Sequence, residues 1–159
     1  MLRAVLGRPR IVAEDRHVVT LYRYFLWADR MRVRMEDALA AGLPRALVSR
    51  SGDELFLWTS YYHAALYIVI EGWQRKDGLG LTDTHVDQLL TSENVELLRR
   101  FRNATFHFQR EYLDQRVMDL VGTEGVEEWM RALRDAFADW FDRFFTAAEA
   151  RHPKGEGSV

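Results

Sequence analysis

Cysteine is absent from the 159 residues. This excludes disulfides, a thiol nucleophile and any thiolate metal site, and it suits a cytoplasmic protein. Proline occurs only three times, at positions 9, 44 and 153, which leaves long reaches where a helix can run unbroken. Lysine is nearly missing, since only Lys76 and Lys154 stand among 22 basic residues. Cationic recognition therefore falls to arginine, whose planar fork suits carboxylate and phosphate. The formal charge of −2 supplies no global field for nucleic acid or an anionic membrane, so any anion site has to be local. The longest apolar stretch, Leu55–Ile70, is interrupted by Thr59, Ser60, His63 and three tyrosines. It is too short and too polar to span a bilayer. The basic N-terminus, Met1 to Arg10, lacks the apolar core of a signal peptide. There is no His-Glu-x-x-His and no second histidine at ligand spacing from His107. No metal and no other cofactor is therefore expected. Gly-rich phosphate loops and the Gly-x-Ser-x-Gly elbow are missing as well.

What the chain has in plenty is apolar and aromatic bulk: 48% hydrophobic residues, with five Trp, six Tyr and nine Phe. At this length that specifies one domain with a substantial core. No alternating strand pattern, repeat or dividing linker occurs. A first helix is predicted from Glu14 to Ala41, with Val18, Leu21, Phe25, Ala28, Met35 and Leu39 on one face and Gly42-Leu43-Pro44 as its stop. A second, from Asp53 to Lys76, is apolar nearly all round and should be central. Thr82-Asp83 caps a short helix to Leu90. Ser92 with Asn94 starts a fourth that continues, bent or broken near Gln109, to Val121. A last helix, Val126–Ala150, carries Met130, Leu133, Phe137, Trp140, Phe144 and Ala148 on a single stripe. The prediction is an all-α bundle of four or five helices over 14–150, with a flexible arm at 1–13 and a disordered tail at 151–159. Phe101, Phe108, Phe137, Trp140 and Phe144 are expected in the core.

The most informative run is Arg99-Arg100-Phe101-Arg102-Asn103-Ala104-Thr105-Phe106-His107-Phe108. On a helix, Asn103 and His107 lie about 40° apart, one turn above each other. Arg99 extends the stripe upstream and Arg110 downstream, and Arg102 can swing in from the side. A fixed cation, an amide and an imidazole on one patch suit a held phosphate with a proton moving beside it. Facing them should be the second helix's polar positions Ser60, His63, Tyr67, Glu71 and Gln74. Each needs a partner if buried, and Glu71 is expected to pair with Arg102 or His107. Against this stands an ordinary explanation: arginines at helical spacing are usually a solvated face, Glu71 can form a structural ion pair, and His63 can be a packed core histidine.

At Arg102-Asn103-x-x-x-His107 the chain resembles the HEPN superfamily, small all-helical domains named for higher eukaryotes and prokaryotes nucleotide-binding. The resemblance rests on the Arg, the polar residue after it and the His, together with helix number and length. It implies a metal-independent endoribonuclease, often a toxin or antiviral effector with an antitoxin partner, acting as a homodimer. It also implies that Arg102 and His107 are catalytic, with Asn103 and Glu71 supporting, and Arg99 and Arg110 suited to holding phosphate or RNA. Other members of that superfamily have lost catalysis and serve as interaction or nucleotide-binding modules. In that alternative, Trp27, Trp58 or Trp73 would anchor a partner. The sequence leaves both readings open.

Overall fold

The computed structural model describes residues 15–40, 50–75, 80–111 and 114–151. The segment expected as an arm (1–13), the Gly42–Pro44 stop and residues 152–159 of the expected tail lie outside the described residues, and Arg151, expected in that tail, is the last residue of a helix. Among the described residues the chain is all helix: α1 (Asp15–Ala40), α2 (Arg50–Trp73), α3 (Thr84–Leu89), α4 (Asn94–Phe106), α5 (Gln115–Val121) and α6 (Val126–Arg151). None of these helices is long and apolar enough to cross a membrane.

Helix α2 is central, as its composition requires, with Ala64, Leu66, Val69 and Ile70 fully buried. Helix α1 lies antiparallel along it. Leu21 comes so close to Gly72 that a Cβ there would fall 2.6 Å from its Cδ1, and Arg32 and Asp29 lie near Tyr62 at the other end. The stripe on α6 closes the bundle through rings. Phe141 sits 5.0 Å from Tyr22 and 5.3 Å from Phe25, and Trp73 meets Trp140 at 4.8 Å and Phe137 at 5.4 Å. Such tilted and edge-on pairs add to the burial of large apolar area. Phe101 and Phe137 are fully buried, while Trp140 and Phe144 pack against the core partly exposed.

The short α3 starts where the sequence says it should. Asp83 accepts from the backbone N–H groups of His85 and Val86, satisfying donors a helix start leaves open. The indole N–H of Trp73 donates to Asp87 at 2.9 Å, and that of Trp129 donates to the Leu89 carbonyl at 3.0 Å. Those two bonds hold α3 against α2 and α6.

The break near Gln109 comes slightly earlier than expected and takes His107 off the helix. The helix stops at Phe106, and His107 has extended backbone angles, φ −113° and ψ 137°. Side chains downstream take over from the helical ladder: the Gln109 amide donates to the Ala104 carbonyl at 3.3 Å, and Arg116 in turn donates to Gln109. Asp114 then caps α5 by accepting from the Arg116 N–H at 3.0 Å. The break expected near Gln109 thus falls at His107, and a loop leads from it to a second short helix that ends at Val121. Phe108, expected in the core, is 95% exposed on that loop.

Candidate functional site

Helices α2 and α4 pack against each other in opposite directions. Glu71 faces Arg102, His63 meets Phe101 ring to ring at 5.1 Å, and Tyr61 meets Phe106 at 5.9 Å. The polar stripe of α2 thus does face the arginine side of α4. Its middle is dry: Ser60 and His63 are buried. Burial pushes the His63 imidazole down to about 4, a nearby Thr59 carbonyl opposing only in part. No hydrogen bond of good geometry reaches its Nδ1. His63 is a core histidine held neutral.

At the C-terminal end of α2, Arg102 donates to the Asn103 amide oxygen at 3.1 Å and stands 3.7 Å from the Glu71 carboxylate. The ion pair is long and half exposed, so it restrains the guanidinium weakly. The Arg102 Nε–H is buried and has no partner. Tyr67 lies in the same field. Burial and Glu71 raise its phenol pKa, and Arg99 and Arg102 lower it. From the sequence Tyr67 is one polar position among five on α2. Its position two turns beyond the buried Ser60 was the available signal. Arg99 folds back onto Glu96 one turn earlier, at 2.6 Å, which raises its own pKa and lowers that of the carboxylate.

His107 stands elsewhere. It is exposed, off the helix, and lines a groove of about 410 Å³ together with Ser60 and Tyr61. Those residues precede Glu71 on α2 by ten or eleven positions, about 15 Å along the axis. The expected stripe from Arg99 through Asn103 to His107 and Arg110 is therefore broken at its lower half. Asn103 keeps only a backbone link to His107, whose N–H donates to its carbonyl at 3.2 Å, and Arg110 is exposed on the loop beyond. Arg102, Asn103 and Glu71 come together, and within one chain His107 does not join them. The cause is the helix end: once φ and ψ leave the helical region at His107, the 100° step no longer sets where side chains face.

The groove was not foreseen. Phe56, Leu57, Tyr61 and Val117 give it apolar walls, and Asp53, Glu111 and Asp114 give it carboxylates. Among the described residues no arginine or lysine lines it, although Arg116 at its edge pairs with Asp114 at 2.6 Å and holds that carboxyl below its ordinary range. Phe106, half exposed, meets the groove's Tyr61, and Phe108 is 95% exposed on the loop. Of the three tryptophans considered as anchors, Trp73 is buried in the core while Trp27 is 46% exposed with Arg23 stacked over its ring. No group of three or more potential metal ligands occurs among the described residues. No family model, curated protein or solved structure matches this chain.

Proposed function

We propose that this chain is a HEPN-like helical domain that cleaves RNA without a metal, as a homodimer in which a second copy completes the site. The observation that carries the reading is the loose engagement of Arg102, whose donors meet Asn103 at 3.1 Å and Glu71 at 3.7 Å. A guanidinium so held can exchange a weak surface partner for a phosphate, with which it forms stronger paired bonds. An exposed imidazole at the end of the same helix supplies the proton carrier.

In the proposed reaction His107 takes the proton from the ribose 2′-hydroxyl. The 2′ oxygen bonds to phosphorus, the bond from phosphorus to O5′ breaks, and the second copy's imidazole gives O5′ its proton. Arg102 stabilises the charge gathered on the phosphorane, often a dominant contribution. The products are a 2′,3′-cyclic phosphate and a 5′-hydroxyl. One chain offers a single imidazole here, and its arginine lies at another level of the helix pair, so two-fold pairing answers both shortages. An antitoxin that covers the same end of the bundle would fit a toxin of this kind.

The test is cleavage of mixed RNA by the purified chain in EDTA, with Arg102→Ala and His107→Ala alongside. Activity lost in both variants supports the enzyme. The second reading, a binding module without catalysis, is favoured by one observation: the groove that His107 lines holds three carboxylates and, among the described residues, no arginine or lysine. Undiminished cleavage in the double variant, or none by the parent chain, would favour it.

A further inference from the structure

The outward face of α1 carries a line of arginines. Val18, Leu21, Phe25 and Ala28 turn one side of this helix into the core. On the opposite side Arg16, Thr20, Arg23, Trp27, Arg30 and Arg34 recur every three or four residues, and all of them are exposed. At 100° per residue they fall within about 80° of one another, and the line runs about 27 Å along the axis.

The charge of this line is not neutralised locally. Asp29 is the one acid between Arg16 and Arg34, and Arg32, on the flank of the helix, holds both it and Glu36. Arg99, Arg100, Arg116, Arg134 and Arg143 each reach a carboxylate. Among the described residues, Arg16, Arg23, Arg30 and Arg34 reach none. On a chain of net charge −2, four unpaired guanidinium groups along one exposed line make a local positive field.

An aromatic pair sits in the middle of the line. Trp27 is 46% exposed, and its ring meets that of Tyr24 edge-on at 5.4 Å. The Arg23 guanidinium lies 5.1 Å from the Trp27 ring and 5.2 Å from the Tyr24 ring. Cations that follow a backbone, with an exposed ring on which a base stacks, are the means by which proteins hold single strands. A duplex keeps its bases stacked on one another and offers the indole none. We propose that this face of α1 binds a single-stranded segment of RNA, its phosphates on the four arginines and one base on Trp27. The face turns away from α2, so it lies apart from the Arg102–Glu71 pair and holds the strand without cutting it. That the strand is RNA rests on the function proposed above; the binding does not depend on catalysis.

The experiment follows the fluorescence anisotropy of a labelled, mixed-sequence 2′-O-methyl oligoribonucleotide in EDTA. This probe lacks the 2′-hydroxyl that cleavage would use. Four phosphate contacts on a single strand predict an affinity loss of about 50-fold between about 50 and 200 mM salt. Arg23→Gln with Arg30→Gln should cut that ratio to about sevenfold and weaken binding at the lower salt. Arg131→Gln with Arg151→Gln, an equal charge change on α6, should leave both at the parent's values. Trp27→Ala should weaken binding about tenfold without changing the salt dependence. Every changed residue is exposed, so urea midpoints should stay near the parent's. A parent that does not bind at the lower salt, or an α6 pair as damaging as the α1 pair, overturns the proposal. So does a Trp27→Ala variant with the parent's affinity, or equal affinity for a duplex. Binding without cleavage of ordinary RNA leaves this surface standing and removes the enzyme; cleavage with none of these binding effects does the reverse.

Discussion

Lowering the pH from 7.5 to 5 should destabilise the fold by about 2 kcal/mol through His63 alone. An unfolded histidine titrates near 6.5, and burial holds His63 at about 4 in the native state. Above pH 6.5 the group is neutral in both states and contributes nothing to the pH dependence. As pH falls below 6.5 the unfolded chain takes up a proton that the folded chain refuses, so stability drops. The loss reaches about 2 kcal/mol at pH 5 and about 3 kcal/mol at pH 4 by linkage. For a domain of this size 2 kcal/mol is about 4–8 °C in Tm. The window lies above the carboxylate range, where Asp83, held low by the Val86 N–H and Arg143, is still ionised in both states. Urea titrations at both pH values, on the parent and on His63→Leu, measure the effect. The variant fills the same space between Tyr62 and Phe101, removes an unpartnered Nδ1, and should lose most of the pH dependence over this window. A parent whose stability is unchanged between pH 7.5 and 5, or a variant with the parent's full slope, would refute the reasoning.

Phe137→Ala should cost about 3–5 kcal/mol in urea unfolding, because the ring is fully buried between Trp73 and Phe141. Phe108→Ser should change stability by less than about 0.5 kcal/mol, its ring being 95% exposed; a core-sized loss would mean that the ring packs inside. Arg102→Ala and His107→Ala should each lower RNA cleavage by about 10²–10⁴-fold while leaving circular dichroism and urea midpoints close to the parent's.

Most of the fold was legible because its signals are local and periodic. The stripe from Val126 through Leu133 to Phe137 lies on a helix that runs to Arg151, and Asp83 caps α3 as a short acid before a helix should. A bend or break near Gln109 was legible, but not that α4 ends before His107. No glycine or proline marks it, and Phe101, Thr105 and Phe108 follow a helical spacing that suggests continuation. At that end the Gln109 side-chain amide donates to the Ala104 carbonyl that a further turn would have used, and Arg116 holds the Gln109 side-chain oxygen. The one local clue was Asp114, an N-cap type ahead of α5. For the candidate site, the pairing of Glu71 with Arg102 could be read because both lie on regular helices with countable faces. The place of His107 could not, since it depends on one residue leaving the helix. The groove was invisible for a related reason: its lining comes from separate stretches, 53–61, 104–111 and 114–117, that share no motif.

The chemistry of the cut ends tests the central claim most directly. Purified chain is incubated with a short RNA in excess EDTA, and the products are weighed by mass spectrometry. The account predicts fragments bearing 2′,3′-cyclic phosphate and 5′-hydroxyl ends, absent when Arg102 and His107 are both alanine. Ends bearing 5′-phosphate, dependence on added metal, or RNA left whole would contradict it.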